Sequence, residues 1–330
     1  MLPGIGGRPN CQTSGSYFTH SKETKNFMSR TICKVEVVTP VHNRRGITLK
    51  CLRSLGELSS SSLSSHIIVV DDGSSDGTGE TIAAEFPGVQ VIRGDGNLWY
   101  TRGTNVGIEA ALLRAPDYVL AINDDSVFDA HCVEAMVKCA QEHPRSVIGA
   151  LLCSWDEPMK VFQVAPCWDT WYGGWRHTQH LTRDTIPANP FEVELIVGNC
   201  VLYPTDAIHE VGLMDAEAFP YGSGDVEYTP RMRKRGWRLL IEPRALVYCQ
   251  PNIIYPSLRT LPLRSLMDTL LYDQHNPENL VRQLVSRWKS APTRLLGLIA
   301  FVIWHVRLIL KALHLSGSWP NWPDPSIGKA

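Results

Sequence analysis

The chain has 330 residues, is 44% hydrophobic and 20% charged, and carries a formal net charge of -1. That length holds one large α/β domain with an extension, or two small domains, with apolar residues enough for a full core; the charge singles out no partner, and no nucleic acid is expected. The nine cysteines are scattered without a C-x-x-C pair, which argues against a disulfide framework and a zinc site and for a reducing cytosol.

The first 27 residues are polar, rich in Gly, Ser, Thr and Asn, and carry no secretory pattern. Residues 1–30 are expected to be disordered or a non-native extension. From Lys34 to Leu151 short Val- and Ile-rich runs alternate with amphipathic segments. Strands are expected at 35–39, 67–71, 89–92, 118–122 and 147–151, and helices at 48–58, 78–85, 105–113 and 130–142. Such alternation gives a mostly parallel sheet covered on both faces, with ligands at the carboxyl ends of its strands. The polar clusters 39–44, 71–76 and 123–125 fall at those ends.

Residues 154–189 read as long loops holding Trp155, Trp168, Trp171, Tyr172 and Trp175. Strands follow at 193–197 and 200–203, then helices at 205–211 and 226–235 and a strand at 238–241. From Leu263 onward the pattern is helical. The segment 295–315 reaches about 30 Å as a helix, but Arg307, Lys311 and His314 share one face at i, i+4 and i+7. No acid lies between Asn279 and Pro323. This fits a helix lying on an anionic membrane surface, or a buried helix packed on the sheet.

Three clusters carry chemistry. The run IIVVDDGSSD leads a buried strand into Asp71 and Asp72; adjacent buried acids need hydrogen bonds or a cation, and a capped turn accounts for them equally well. Asn123, Asp124 and Asp125 end another buried strand. Beside diphosphate oxygens they form a site for Mg²⁺ or Mn²⁺, unless they only cap the next helix. Asp225, in the run GDVEY, is placed as a general base or as a helix cap. No P-loop, G-x-G-x-x-G after the first strand, G-x-S-x-G or H-E-x-x-H competes.

The segments TPVHNR, VVDDGSSDGT, GNLWYTRGTNVGI, INDD, VGNCVLYP, and GDVEY followed by RMRKRGW resemble the ordered motif set of glycosyltransferase family 2. Within it they most resemble bacterial rhamnosyltransferases of polysaccharide assembly. The resemblance implies a GT-A α/β fold over 31–258, with a nucleotide-sugar half (31–127) and an acceptor half (128–258). A helical extension (259–315) and a tail (316–330) follow. It implies that Thr39, Pro40, Val41 and Asn43 hold the nucleotide, and that Asp71 and Asp72 recognise base and ribose. Gly96, Asn97, Arg102, Gly103 and Asn105 pass near the phosphates and sugar. Asn123 and Asp124 belong to the donor site, Asp125 to the metal, Asp225 to the catalytic acid position, and Arg231 to the donor-side helix. Trp168, Trp171, Tyr172 and Trp175 either form an acceptor platform or pack a long loop.

Three departures stand out. His42 replaces a common Tyr, Gly224 a usual Glu, and Cys249 and Gln250 occupy the stretch where a metal-binding His is frequent. The implied activity is inverting transfer of rhamnose from dTDP-rhamnose to a glycan or lipid-linked glycan, in the cytoplasm at the inner face of the membrane. A UDP-hexose or UDP-galactofuranose enzyme, or a non-catalytic nucleotide-sugar- or glycan-binding relative, is the alternative.

Overall fold

Short runs of β-branched residues with no polar break form strands buried on both faces, and such runs build the centre of this molecule. A computed structural model describes residues 32–56, 63–177, 181–250, 265, 268–273, 275–276 and 279–312. The extension expected over 1–30 and the tail 316–330 lie outside the described residues.

The first half runs β1 (Cys33–Val41), α1 (Arg45–Gly56), β2 (Leu63–Asp71), α2 (Thr78–Glu85), β3 (Val89–Arg93), α3 (Trp99–Leu112), β4 (Tyr118–Ile122), β5 (Ser126–Phe128), α4 (Cys132–Glu142) and β6 (Ser146–Ser154). It continues with β7 (Val161–Gln163), β8 (Cys167–Asp169), β9 (Gly174–Arg176), β10 (Phe191–Glu192), β11 (Cys200–Pro204), α5 (Thr205–Val211), α6 (Gly224–Lys234) and β12 (Arg238–Cys249). Two helices follow, α7 (Leu280–Ser290) and α8 (Arg294–Ala312).

One sheet runs β10-β12-β6-β11-β4-β1-β2-β3, with β5 on β12 and β7 on β6. The β4-β1-β2-β3 half is parallel throughout. Antiparallel β11 joins β4 to β6 and so ties both halves into one sheet. On one face α1 and α4 pack through Leu52, Met136 and Val137; on the other α3, α5 and α6 pack through Ile108, Ile208 and Met232. Val38, Ile68, Val69 and Val70 are fully buried between these layers, each contributing about 1.5–3 kcal/mol of burial.

Three expected elements differ, the first being the strand expected at 238–241, which runs on as β12 to Cys249. Helix α3 begins at Trp99, not at 105, because a carboxylate accepts the amides at its start, as described below. Val193, Leu195 and Ile196 are buried, but residues 193–197 make no strand. The Ile196 amide donates to Thr229 Oγ1 on α6 at 3.2 Å, and that hydroxyl donates back to the Ile196 carbonyl. At Ile196 a β-prone sequence satisfies its backbone with a helix side chain, while the Val193 amide still donates to the Leu239 carbonyl of β12 at 2.9 Å.

The expected loop region 154–189 contains the β8–β9 hairpin, and the C-terminal helices dock on it. A Cβ on Gly173 at the hairpin tip would stand 2.9 Å from Trp304 Cβ on α8, so only glycine permits this approach. Gly297, an interruption in an apolar run by sequence, is where α8 crosses α7: a Cβ there would meet the Arg287 carbonyl oxygen. Among the described residues no helix is long and apolar enough to cross a membrane.

Candidate active site

The carboxyl ends of β1, β2 and β4 present three loops to one another. After β2, Asp71 Oδ1 accepts from the Ser74 amide at 3.0 Å. Asp72 reaches across to the loop before α3: Oδ1 accepts from the Gly96 amide at 2.9 Å, and Oδ2 from the Leu98 and Trp99 amides at 2.9 and 2.8 Å. A buried acid so placed satisfies orphan amides at a helix start and favours its dipole. Asp72 therefore holds the shape of the loop before α3, its carboxylate committed to backbone.

The loop after β1 is stitched to the same place. The Val41 carbonyl accepts from the Asp72 amide at 2.9 Å. His42 Nδ1 donates to the Asp72 carbonyl at 2.5 Å, and its Nε2 accepts from Asn43 Nδ2 at 2.9 Å. Asn43 sits in the left-handed region (φ 51), and its Oδ1 accepts from the Ser75 amide at 2.7 Å. Thr39 is buried, and Pro40 packs on Gly103, where a Cβ would lie 2.9 Å from Pro40 Cβ. His42 thus secures two loops to each other.

After β4 come the acids of the expected metal site. Arg44 spans them: Nη1 donates to Asp124 Oδ1 at 2.9 Å and Nη2 to Asp125 Oδ2 at 3.1 Å. Asp124 Oδ2 also accepts from Thr48 Oγ1 at 2.9 Å. Burial pushes the Asp124 carboxyl up to about 6, against the lowering pull of Arg44 and Thr48. Asp125 Oδ1 and Asn123 Oδ1 are buried without a hydrogen-bond partner. Buried oxygens left over in this way fit a hard cation. Among the described residues no three His, Cys, Asp or Glu side chains converge on one metal position, so diphosphate oxygens would have to complete the shell. Cys249, near the frequent histidine position, is buried beside Ser126 and Asn199; burial pushes its thiol up to about 12, which keeps it protonated at neutral pH.

The candidate base stands at the start of α6. Asp225 Oδ2 accepts from the Gly198 amide at 2.8 Å. Burial raises the Asp225 carboxyl above its ordinary value, opposed by backbone amides. The Gly198 carbonyl accepts from the Tyr100 hydroxyl at 3.1 Å. Burial raises the Tyr100 phenol, and the charge of Asp225 adds to it. Next to Gly198, the Asn199 carbonyl accepts from the Asn123 amide at 3.0 Å. The Gly198–Asn199 turn thereby couples base and acid loops.

Several expected residues are engaged elsewhere. Asn105 Nδ2 donates to the Met214 carbonyl at 2.8 Å and its Oδ1 accepts from the Met214 amide at 3.1 Å, so it ties α3 to the loop after α5 with both polar ends. Arg231 pairs with Glu227 at 2.8 Å and donates to the Val211 and Leu213 carbonyls at 2.8 and 2.7 Å. It braces α6 and offers no fork to a phosphate. Gly96 takes a left-handed turn (φ 89), while Asn97 and Arg102 are exposed.

The aromatic platform is largely taken up by packing. Trp168 and Trp175 meet edge to face at 5.4 Å, and Trp175 Nε1 donates to Ser290 Oγ at 2.9 Å. Tyr172 packs edge-on to Trp304 at 6.3 Å. Trp171, at 77% exposure, is the member open to solvent. Arg307, expected to face lipid, is buried and donates to the Trp171 and Tyr172 carbonyls at 3.3 and 2.9 Å. Three orphan hairpin-side carbonyls need donors, counting that of Gly173, which accepts from Arg287 Nε at 2.7 Å, and this need turns the arginine face inward. The Lys311 side chain and His314 lie outside the described residues. The solvent face of α8 instead carries Leu295, Leu298, Ile299, Val302 and Val306.

Sequence reasoning quoted the segments holding Arg44, Tyr100, Gly198 and Asn199 but gave these residues no role. Nothing in residue type marks a turn glycine as the holder of a base 27 positions away.

A family model described as glycosyl transferase family 2 matches residues 36–187. Two relatives from Mycobacterium tuberculosis, strains CDC 1551 / Oshkosh and ATCC 25618 / H37Rv, are named N-acetylglucosaminyl-diphospho-decaprenol L-rhamnosyltransferase. Each is 25% identical over 202 residues, 55% of this chain and 65% of the relative. The match therefore spans just under two thirds of their length. The solved structure of GalNAc-T7 with UDP, GalNAc and Mn²⁺ is similar at a TM-score of 0.58 and 13% identity, over 86% of this chain and 57% of that one. That likeness is one of fold: a GT-A-like α/β architecture.

Proposed function

We propose that this chain is a family 2 glycosyltransferase, as the family match over residues 36–187 supports, and that it transfers one sugar from a nucleoside diphosphate donor to an acceptor hydroxyl with inversion. The observation that carries this reading is Asp225. Its carboxylate is held by the Gly198 amide, and the adjoining Asn199 carbonyl accepts from the Asn123 amide at the head of the acid loop. Burial raises its carboxyl above the ordinary value, which favours uptake of a proton. Asp225 takes the acceptor proton as the acceptor oxygen bonds to the anomeric carbon, and the bond from that carbon to the diphosphate oxygen breaks. Asp125 and Asp124, beside Asn123, would hold a divalent cation, which would supply charge neutralisation for the departing diphosphate. Asp72 and His42 keep the two donor-side loops in register, and Asp71 lies at the same strand end.

The donor is dTDP-rhamnose. The sugar in the names of the mycobacterial relatives supports this. The acceptor is a lipid-linked glycan, met at the inner face of the cytoplasmic membrane. The outward apolar stripe of α8 supports peripheral attachment there.

The test is donor binding followed by turnover. Full chain is warmed with dTDP-rhamnose, UDP-glucose, UDP-galactose and UDP-galactofuranose, since a ligand bound by the native state alone raises Tm. Release of nucleoside diphosphate is then measured with lipid-linked acceptor and Mn²⁺. A Tm shift and release with dTDP-rhamnose are expected. Release with a UDP donor alone reassigns the sugar, and binding without release to any donor turns the chain into a non-catalytic binder.

A further inference from the structure

The side chain that closes the acid cluster is a cation of the chain's own. We propose that Arg44 occupies the divalent-cation seat when donor and metal are absent, and that binding of the cation displaces its guanidinium towards the donor diphosphate. This deepens the glycosyltransferase reading and rests on it for the identity of the anion.

Four observations support the exchange. One guanidinium fork reaches both acids, at 2.9 Å to Asp124 and 3.1 Å to Asp125. The acids are fixed and nearly buried, whereas the Arg44 side chain is 43% exposed, so the arginine is the partner free to move. The cluster also holds more acceptors than the fork uses. Asp125 Oδ1 and Asn123 Oδ1 are buried without a hydrogen-bond partner, an excess of oxygen that suits a cation ligated by oxygen. Finally, Arg44 lines an open cavity of about 440 Å³ together with Asn43, Arg45, Asp76 and Gln250. Swinging outward therefore brings the guanidinium into ligand space and not into a packed core.

The exchange leaves no bare charge. Two adjacent buried carboxylates without a cation are costly, so the arginine departs only as the metal arrives. The departing guanidinium in turn finds a diphosphate, to which its planar fork binds bidentately. Each ligand thereby removes an obstacle to the other. Cation and nucleoside diphosphate bind as a coupled pair, and the ligand-free chain holds metal weakly.

Mn²⁺ alone, titrated into full chain and followed by the electron paramagnetic resonance of free Mn²⁺, tests the first half. Without competition from the guanidinium, Arg44→Ala and Arg44→Gln are expected to bind Mn²⁺ about tenfold more tightly than wild type. Arg44→Lys, which keeps a charge but cannot span both acids, falls between. If the neutral variants fail to fold, Arg44→Lys decides, and Mn²⁺ affinity no higher than wild type overturns the proposal. The second half is tested with dTDP and UDP at saturating Mn²⁺, which displaces the guanidinium from the acids. Affinity about tenfold weaker in Arg44→Ala is expected, and equal affinity overturns the role at the phosphate. The Mn²⁺ titration contains no nucleotide. Absence of dTDP and UDP binding in wild type therefore defeats the donor reading and leaves the Mn²⁺ result to stand or fall by itself.

Discussion

Thr101 lies directly over Gly224: a Cβ on residue 224 would stand 2.7 Å from Thr101 Cγ2 and 2.9 Å from its Oγ1. Space where α3 meets α6 thus holds position 224 to glycine, and Asp225 follows it beside Gly198. We expect Gly224→Ala to cost about 1–3 kcal/mol by overpacking, and Gly224→Glu at least as much. In a Thr101→Ala background the cost of Gly224→Ala should shrink, since removing the hydroxyl and methyl opens the contact. Chemical denaturation of the four-member cycle measures this, and strictly additive penalties would place the strain elsewhere.

Asp225 is expected to be needed for rate and unfavourable for stability. Asp225→Asn keeps the acceptor for the Gly198 amide but takes no proton, so turnover should fall roughly 10²-fold or more with donor binding nearly intact. Burial raises the Asp225 carboxyl from 3.8. Between that value and the raised one the native state binds more protons than the unfolded state, so stability falls as pH rises through the window. The Asn variant escapes this loss and should match or exceed wild type in Tm at pH 7–8. Turnover within a few-fold of wild type would remove Asp225 as the base.

Cation binding should depend on pH through Asp124, whose carboxyl lies at about 6. Protons compete with the metal for it, so lowering the pH from 7.5 to 5.5 should weaken Mn²⁺ binding about fourfold. Asp125→Ala should weaken both cation and donor, and chelation should suppress transfer. Full activity after exhaustive EDTA treatment would assign the neutralisation of the diphosphate to protein groups, with Arg44 the first to examine.

The strands were legible because burial on both faces leaves a plain Val and Ile run, as at Ile67 to Val70. The acid clusters were legible because carboxylates at strand ends are rare without a task. What could not be read was how the polar side chains divide between ligand and scaffold. Asp72, Asn105 and Arg231 carry the chemistry of donor contacts, yet backbone groups 24 or more, 109 and 18 or more positions away claim them. Such partners are set by tertiary closure and leave no trace in spacing. The same limit inverted α8: carbonyls of the β8–β9 hairpin draw Arg307 inward, and an apolar stripe is left outside.

That stripe gives the membrane reading a form that can be tested without cutting the chain. Removing α8 would strip cover from Gly173 and Tyr172, so point changes are the cleaner probe. Leu295, Leu298, Ile299, Val302 and Val306 are each more than a third exposed, and burying what remains of five such side chains contributes on the order of 5 kcal/mol. No acid lies between Asn279 and Pro323, and Arg294 is exposed at the start of the helix, so anionic head groups add attraction that salt screens. We expect full chain to sediment with anionic vesicles, less so in high salt. Leu298→Glu with Val302→Glu should abolish sedimentation while leaving Tm and diphosphate release on a soluble acceptor close to wild type. A wild-type chain that stays in the supernatant at low salt would sink the membrane reading and leave α8 as a cover for the hairpin.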